Sequence, residues 1–178
     1  MTVTLDDIKQ AHQRIQPYIH CTPILQSTQL NKLFTCELFF KADNMQKVGA
    51  FKARGACNAL FSMTQEALAN GVITHSSGNH GAALAWAAAM RKASCTVVMP
   101  ENAPQAKKDA VLSYGATVVY CEPTMTAREG TVTRLIEQQG ARLVHPYDDD
   151  LIIAGQGTAT LETLAQLDKP ADVLMTPV

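Results

Sequence analysis

Thr74-His75-Ser76-Ser77-Gly78-Asn79-His80-Gly81, running into Ala82-Ala83-Leu84-Ala85-Trp86-Ala87-Ala88-Ala89, is the stretch whose reading decides the fold. Gly71-Val72-Ile73-Thr74 before it is apolar and β-branched enough for a buried strand, and the alanine-rich run after it reads as a helix. A small, polar, glycine-bearing loop between the two presents free backbone N–H groups and hydroxyls at a helix N-terminus, which suits an anion. The same residues fit an ordinary strand-to-helix turn with a serine cap, so the loop alone leaves both readings open.

Outward from this loop the pattern alternates strand and helix. Strands are expected over residues 37–42, 71–74, 95–99, 116–121 and 142–145, with one more beginning over 173–178. Helices are expected over about 51–70, from 82 to about 92, and over 104–114, 126–139 and about 149–167, with Pro104 in one first turn and Gly115 and Gly140 past two ends. Such units build a mostly parallel sheet covered by helices on both faces, with ligands held beyond the strands' C-terminal ends, where residues 76–79 fall. Gly155-Gln156-Gly157 superficially matches a dinucleotide fingerprint, but it lies inside a helical pattern and is discounted.

The chain has 178 residues, 47% hydrophobic and 17% charged, enough for a buried core in one or two units. A formal net charge of −1 provides no field that would recruit nucleic acid or an acidic membrane. No apolar run reaches membrane-spanning length, and the N-terminus lacks the order of a signal peptide. Cysteines 21, 36, 57, 95 and 121 are scattered and odd in number, without metal or dithiol spacing. Cys95 and Cys121 read as small buried hydrophobes, and the whole as a reduced, cytoplasmic protein with no metal ligands of its own.

A second site lies upstream, Gln46-Lys47-Val48-Gly49-Ala50-Phe51-Lys52-Ala53-Arg54-Gly55-Ala56. A lysine between apolar neighbours at a helix start is partly desolvated, which lowers its pKa and frees the amine for imine chemistry. The plainer reading is a surface lysine with its stem on apolar neighbours.

Together with Ser76-Ser77-Gly78-Asn79-His80-Gly81, the segment 49–56 resembles the fold-type II pyridoxal-phosphate enzymes, in the serine racemase and threonine/serine dehydratase branch. Thr22-Pro23, Tyr114-Gly115-Ala116, Val144-His145-Pro146 and Ile153-Ala154-Gly155-Gln156-Gly157-Thr158 carry the resemblance along the whole chain. It implies a two-domain α/β parallel-sheet fold of the tryptophan synthase β-subunit type, incomplete at the C-terminus. Residues 1–49 would begin the large domain, 50–148 form the small mobile domain, and 149–178 return to the large one.

The resemblance also implies roles. Lys52 would carry pyridoxal 5'-phosphate and take the Cα proton of the substrate. Phe51 would lie against the cofactor ring and Asn79 would bond its phenolic oxygen. Ser76, Ser77, Asn79 and the backbone of His80 would hold the carboxylate of a small amino acid. Ser77 would either return a proton to the opposite face, as in the racemases, or only bind the carboxylate. Arg128 would approach the substrate, its alternative being a helix-surface arginine paired with Glu129 or Glu122, and Tyr147 would line the pocket.

Val48 and Ala50 depart from the family, where many members have threonine and serine. The family's glycine-rich phosphate loop follows a strand like Thr176-Pro177-Val178, after which this sequence stops, so an N-terminal portion of a longer homodimeric protein is expected. Any divalent cation such as Mg2+ would be bound by the missing half. The preferred reading is a dehydratase converting serine or threonine to a 2-oxo acid and ammonia. Serine racemase is the runner-up, and a non-catalytic truncated chain stands as the reading from another class.

Overall fold

The computed structural model describes residues 2–176. In chain order its elements are α1 (Leu5–Ile15), β1 (Ile24–Leu25), α2 (Thr28–Phe34), β2 (Phe40–Lys41), two 3-10 turns (Asp43–Met45 and Lys47–Gly49), α3 (Lys52–Ser62), β3 (Val72–His75), α4 (Asn79–Met90), β4 (Cys95–Pro100), α5 (Gln105–Ser113), β5 (Thr117–Cys121), α6 (Met125–Gln139), β6 (Arg142–Leu143) and α7 (Asp150–Gln166). Four strands form a parallel sheet in the order β5-β4-β3-β6, and β1 pairs antiparallel with β2. This is the expected α/β class.

The sheet separates two cores. Val72, Val97 and Met99 face α3, α4 and α5, whereas Ile73, Val98 and Cys121 face α6 through Val132 and Leu135. Each fully buried Val, Ile or Met contributes roughly 1.5–3 kcal/mol. The alanines of α4 are buried nearly all round because this helix lies between the sheet and α3. Its approach to β4 is close: a Cβ on Gly81 would stand 2.9 Å from Val97 Cγ1. Gly155 explains the discounted fingerprint in the same terms. It belongs to α7, and a Cβ there would stand 2.6 Å from the Cα of Gly55, so the two helices meet backbone to backbone.

Several boundaries differ from expectation. The helix expected over 51–70 ends at Ser62, because Met63 turns extended and the Arg91 guanidinium takes the carbonyls of Leu60 and Met63. The strand expected over 37–42 pairs only at Phe40–Lys41. Its partner begins after Pro23, which has no N–H, and stops before Ser27, which caps α2. Strand β6 stops before His145, since Pro146 cannot donate to a ladder. The strand expected over 173–178 is not formed across its described part, 173–176, where Val173, Leu174 and Met175 are exposed; Pro177 and Val178 lie outside the described residues. Before residue 37, Thr4 and Asp7 form a reciprocal capping box that starts α1, an element the strand–helix alternation does not announce.

All five cysteines are free. Burial pushes the Cys57 and Cys95 thiols up to about 12, which leaves them unreactive. Among the described residues no helix is long and apolar enough to cross a membrane, and no cluster of His, Cys, Asp and Glu could hold a metal ion.

Candidate active site

Lys52 opens α3, with Phe51 as the preceding cap residue. The turn before it holds Val48 at φ 56, costly for a β-branched residue, on the order of 1–3 kcal/mol. The Lys52 side chain is half-buried, its Nζ lies 5.2 Å from the Phe51 ring centroid, and it donates to the Pro146 carbonyl at 2.8 Å. Burial lowers its pKa from the ordinary lysine value, which enlarges the neutral, nucleophilic fraction. The amine is thus held on a main-chain carbonyl rather than turned fully into water.

The loop after β3 is shaped by its own backbone. Ser76 N–H donates to the Val98 carbonyl at 3.0 Å, and Ser76 Oγ accepts from Gly78 N–H at 3.2 Å. No side chain caps α4 at Gly78, so the serine-capped turn is not formed and the first-turn N–H groups are left for another acceptor. Ser77 is exposed. Asn79 begins α4, also exposed, and its Oδ1 accepts from Lys107 Nζ at 2.6 Å, a bond from α5 that leaves the Asn79 amide N–H groups to point elsewhere.

His80 is buried, 3% exposed, and its Nε2 lies 3.4 Å from the Val144 carbonyl while Nδ1 is buried without a partner. Burial, reinforced by the nearby Lys52 charge, pushes its pKa down to about 3, so the ring is neutral. A depressed histidine pKa means the unfolded chain binds the extra proton, so this contribution is complete above the ordinary 6.5 and lost as pH falls from there toward 3. At pH 5 the loss is about 2 kcal/mol. His75, lowered by burial and by the charge of His145, acts in the same direction. Urea unfolding at pH 7 and pH 5 is expected to show this fall, and His80→Gln to remove most of it; an unchanged difference in the variant assigns the effect elsewhere.

A second group stands at the strand ends. The rings of His75 and His145 meet edge-on at 5.5 Å and those of His145 and Tyr147 at 4.5 Å. His145 Nδ1 accepts from Asp148 N–H at 2.8 Å and Tyr147 N–H at 3.4 Å, and Tyr147 itself is exposed. Arg128, on α6, is half-buried with Nε buried and unpartnered, and its charge acts on His75 and Cys121. Among the described residues it makes no ion pair with Glu129 or Glu122.

Lys52, Phe51 and His80 are thus gathered with residues 144–146, the loop 76–79 opens at α4 beside them, and Arg128, His75, His145 and Tyr147 flank the strand ends. Sequence reading missed Lys107 and the carbonyls of Val144 and Pro146. Neither has a local signal: one is a lysine in an ordinary helix and the others are main chain.

The model of the family described as "Pyridoxal-phosphate dependent enzyme" matches residues 15–178. The chain is 53% identical over 177 residues to the serine racemase of Dictyostelium discoideum, covering 99% of this chain and 54% of that protein. It is 47% identical over 175 residues to the β-hydroxyaspartate dehydratase of Paracoccus denitrificans, covering 98% and 55%. Among solved structures, a threonine deaminase from T.th. superposes with a TM-score of 0.85 at 44% identity, covering 92% of this chain and 51% of that one. The chain spans about half the length of the curated relatives it matches. With its parallel sheet, its Lys52 end and its loop at α4, it belongs to the family of pyridoxal-phosphate dependent enzymes.

Proposed function

We propose that the full-length protein acts on a small β-hydroxy amino acid, racemising serine and eliminating water from substrates of the same kind. The relatives support racemisation at least as well as dehydration, which reverses the preference drawn from the resemblance. The observation that carries the reading is the Lys52 amine, desolvated, held by one carbonyl and in no ion pair among the described residues, beside an uncapped helix N-terminus.

These residues fit pyridoxal phosphate: an amine with a lowered pKa suits its aldehyde, and the free amide of Asn79 suits a ring oxygen. When bound, the cofactor supplies the electron sink for charge developing at the substrate Cα. Lys52 Nζ takes the Cα proton on one face. The N–H groups of the α4 first turn, with Ser76, Ser77 and Asn79, orient the carboxylate, and the helix dipole favours its charge. Arg128 and Tyr147 close the pocket at the sheet end. The working protein is a homodimer in this reading.

Of the two serines, Ser76 accepts a bond within its own turn and keeps its O–H for the carboxylate, and Ser77 is the one assigned the proton for the opposite face. In the full-length protein Ser77→Ala is expected to lower racemisation by about 10²–10⁴-fold, the usual worth of a general acid, while dehydration of the same substrate survives. Chiral chromatography and a 2-oxo acid assay on one sample read both. Racemisation that survives the substitution removes Ser77 from the proton path.

A further inference from the structure

We propose that His80 is a positioning residue for Lys52, acting through the short main-chain segment that both side chains grip. His80 Nε2 takes the carbonyl of Val144, and Lys52 Nζ takes the carbonyl of Pro146. The imidazole and the amine therefore take carbonyls two residues apart, at 3.4 and 2.8 Å, in one short stretch of main chain that bends at Pro146.

The segment is anchored elsewhere as well. Val144 N–H donates to the Ile73 carbonyl at 2.9 Å, continuing from β6, and the His145 ring is locked by the N–H groups of Tyr147 and Asp148. At its inner edge, His80 is the side-chain donor that fixes how far the segment, and with it the Pro146 carbonyl, stands from α3. The donor must be neutral, because a second positive charge beside the amine would drive one of the two out into water. Burial keeps His80 in that state, and with Nε2–H as donor its Nδ1 carries only a lone pair. The lysine amine thereby keeps both its single acceptor and its dry surroundings.

The inference rests on Lys52 being the reactive amine, but its test needs no cofactor. Full-length protein stripped of cofactor is labelled with acetic anhydride across pH, and the Lys52 peptide is read by mass spectrometry, which yields the titration of that amine. In His80→Gln the amide nitrogen stands near the position of Nε2 and can reach Val144; in His80→Asn it is too short. His80→Gln is expected to keep the parent profile, and His80→Asn to move it up by about one pH unit, a tenfold loss of labelling at fixed pH. An unmoved profile in His80→Asn overturns the proposal. Equal displacement in both variants also overturns it, since the effect then does not depend on the donor.

Should His80→Asn fail to fold, nitrogen-15 histidine spectra of the unaltered protein decide the matter. A neutral Nε2–H tautomer from pH 8 to pH 5 supports the proposal, and an Nδ1–H tautomer or a protonated ring in that range overturns it. Failure of the cofactor reading appears separately, as an absent visible band on adding pyridoxal phosphate.

Discussion

Lys52→Ala is expected to leave the full-length protein without the visible band near ~410–420 nm that the parent develops on adding pyridoxal phosphate, and to lower turnover by at least about 10³-fold. Lys52 is assigned both the attachment and the removal of the Cα proton, and a positioned proton-transfer group alone is worth about 10²–10⁴-fold. A nearby lysine cannot substitute, because Lys47 lies in the preceding turn and Lys107 is engaged with Asn79. Stability should move the other way. The Lys52 ammonium is desolvated with only one carbonyl as partner, so alanine relieves a cost, and the unfolding midpoint is expected to stay or rise. A band retained in the variant would place the cofactor on another amine and end the assignment.

Arg54→Met is expected to destabilise the fold by about 3–5 kcal/mol, the typical cost of breaking a buried ion pair from one side. Arg54 is fully buried. Its Nε and Nη2 take the two carboxylate oxygens of Asp43 at 2.7 and 2.9 Å, and Nη2 also reaches Glu162 at 2.7 Å. The hydroxyls of Thr158 and Thr22 complete its shell at 3.4 Å. Lys41 joins at Glu162 at 2.5 Å, so four alternating charges bind β2, the first 3-10 turn, α3 and α7 into one block. Methionine fills the volume but leaves Asp43 with no cation in contact and only the Thr22 hydroxyl as donor, while Glu162 keeps Lys41.

The pH dependence distinguishes this from lost packing. Burial pushes the Asp43 and Glu162 carboxyls up, and Arg54, helped by Thr22 at Asp43 and by Lys41 at both, more than reverses it, leaving both below the ordinary range. In the parent, their contribution is present above the unfolded carboxylate pKa and is lost as pH falls through the lower folded one. In the variant only the Thr22 hydroxyl and the Lys41 charge still oppose burial at Asp43, which takes up a proton more readily. The gap between variant and parent in urea unfolding should therefore narrow from pH 7 toward pH 4; a constant gap would assign the loss to packing alone.

Much of this molecule was legible because its signals are local. The alternation of apolar runs with Pro104, Gly115 and Gly140 as punctuation gives the parallel sheet, and the small residues at 76–79 before an alanine run give a helix start beyond a strand, whose lack of a side-chain cap only the structure decided. The pairing of that loop with Lys52 was recognisable from order and spacing. The misreadings have tertiary causes. The end of α3 at Ser62 depends on Arg91, 31 positions from the Leu60 carbonyl it takes, and the shortness of β2 on how few residues stand between Pro23 and the α2 cap.

The sequence by itself determined the parallel-sheet architecture, because propensity, periodicity and turn chemistry act between near neighbours, and the family resemblance marked Lys52 and the loop 76–79 as candidates. Only the tertiary structure decided the state of those groups. The carbonyl that holds Lys52 lies 94 positions away, the carboxylate that completes Arg54 108, and the lysine that orients Asn79 28. Burial and charge are summed over everything the fold brings within a few ångströms, and that sum is not written in any one stretch of chain.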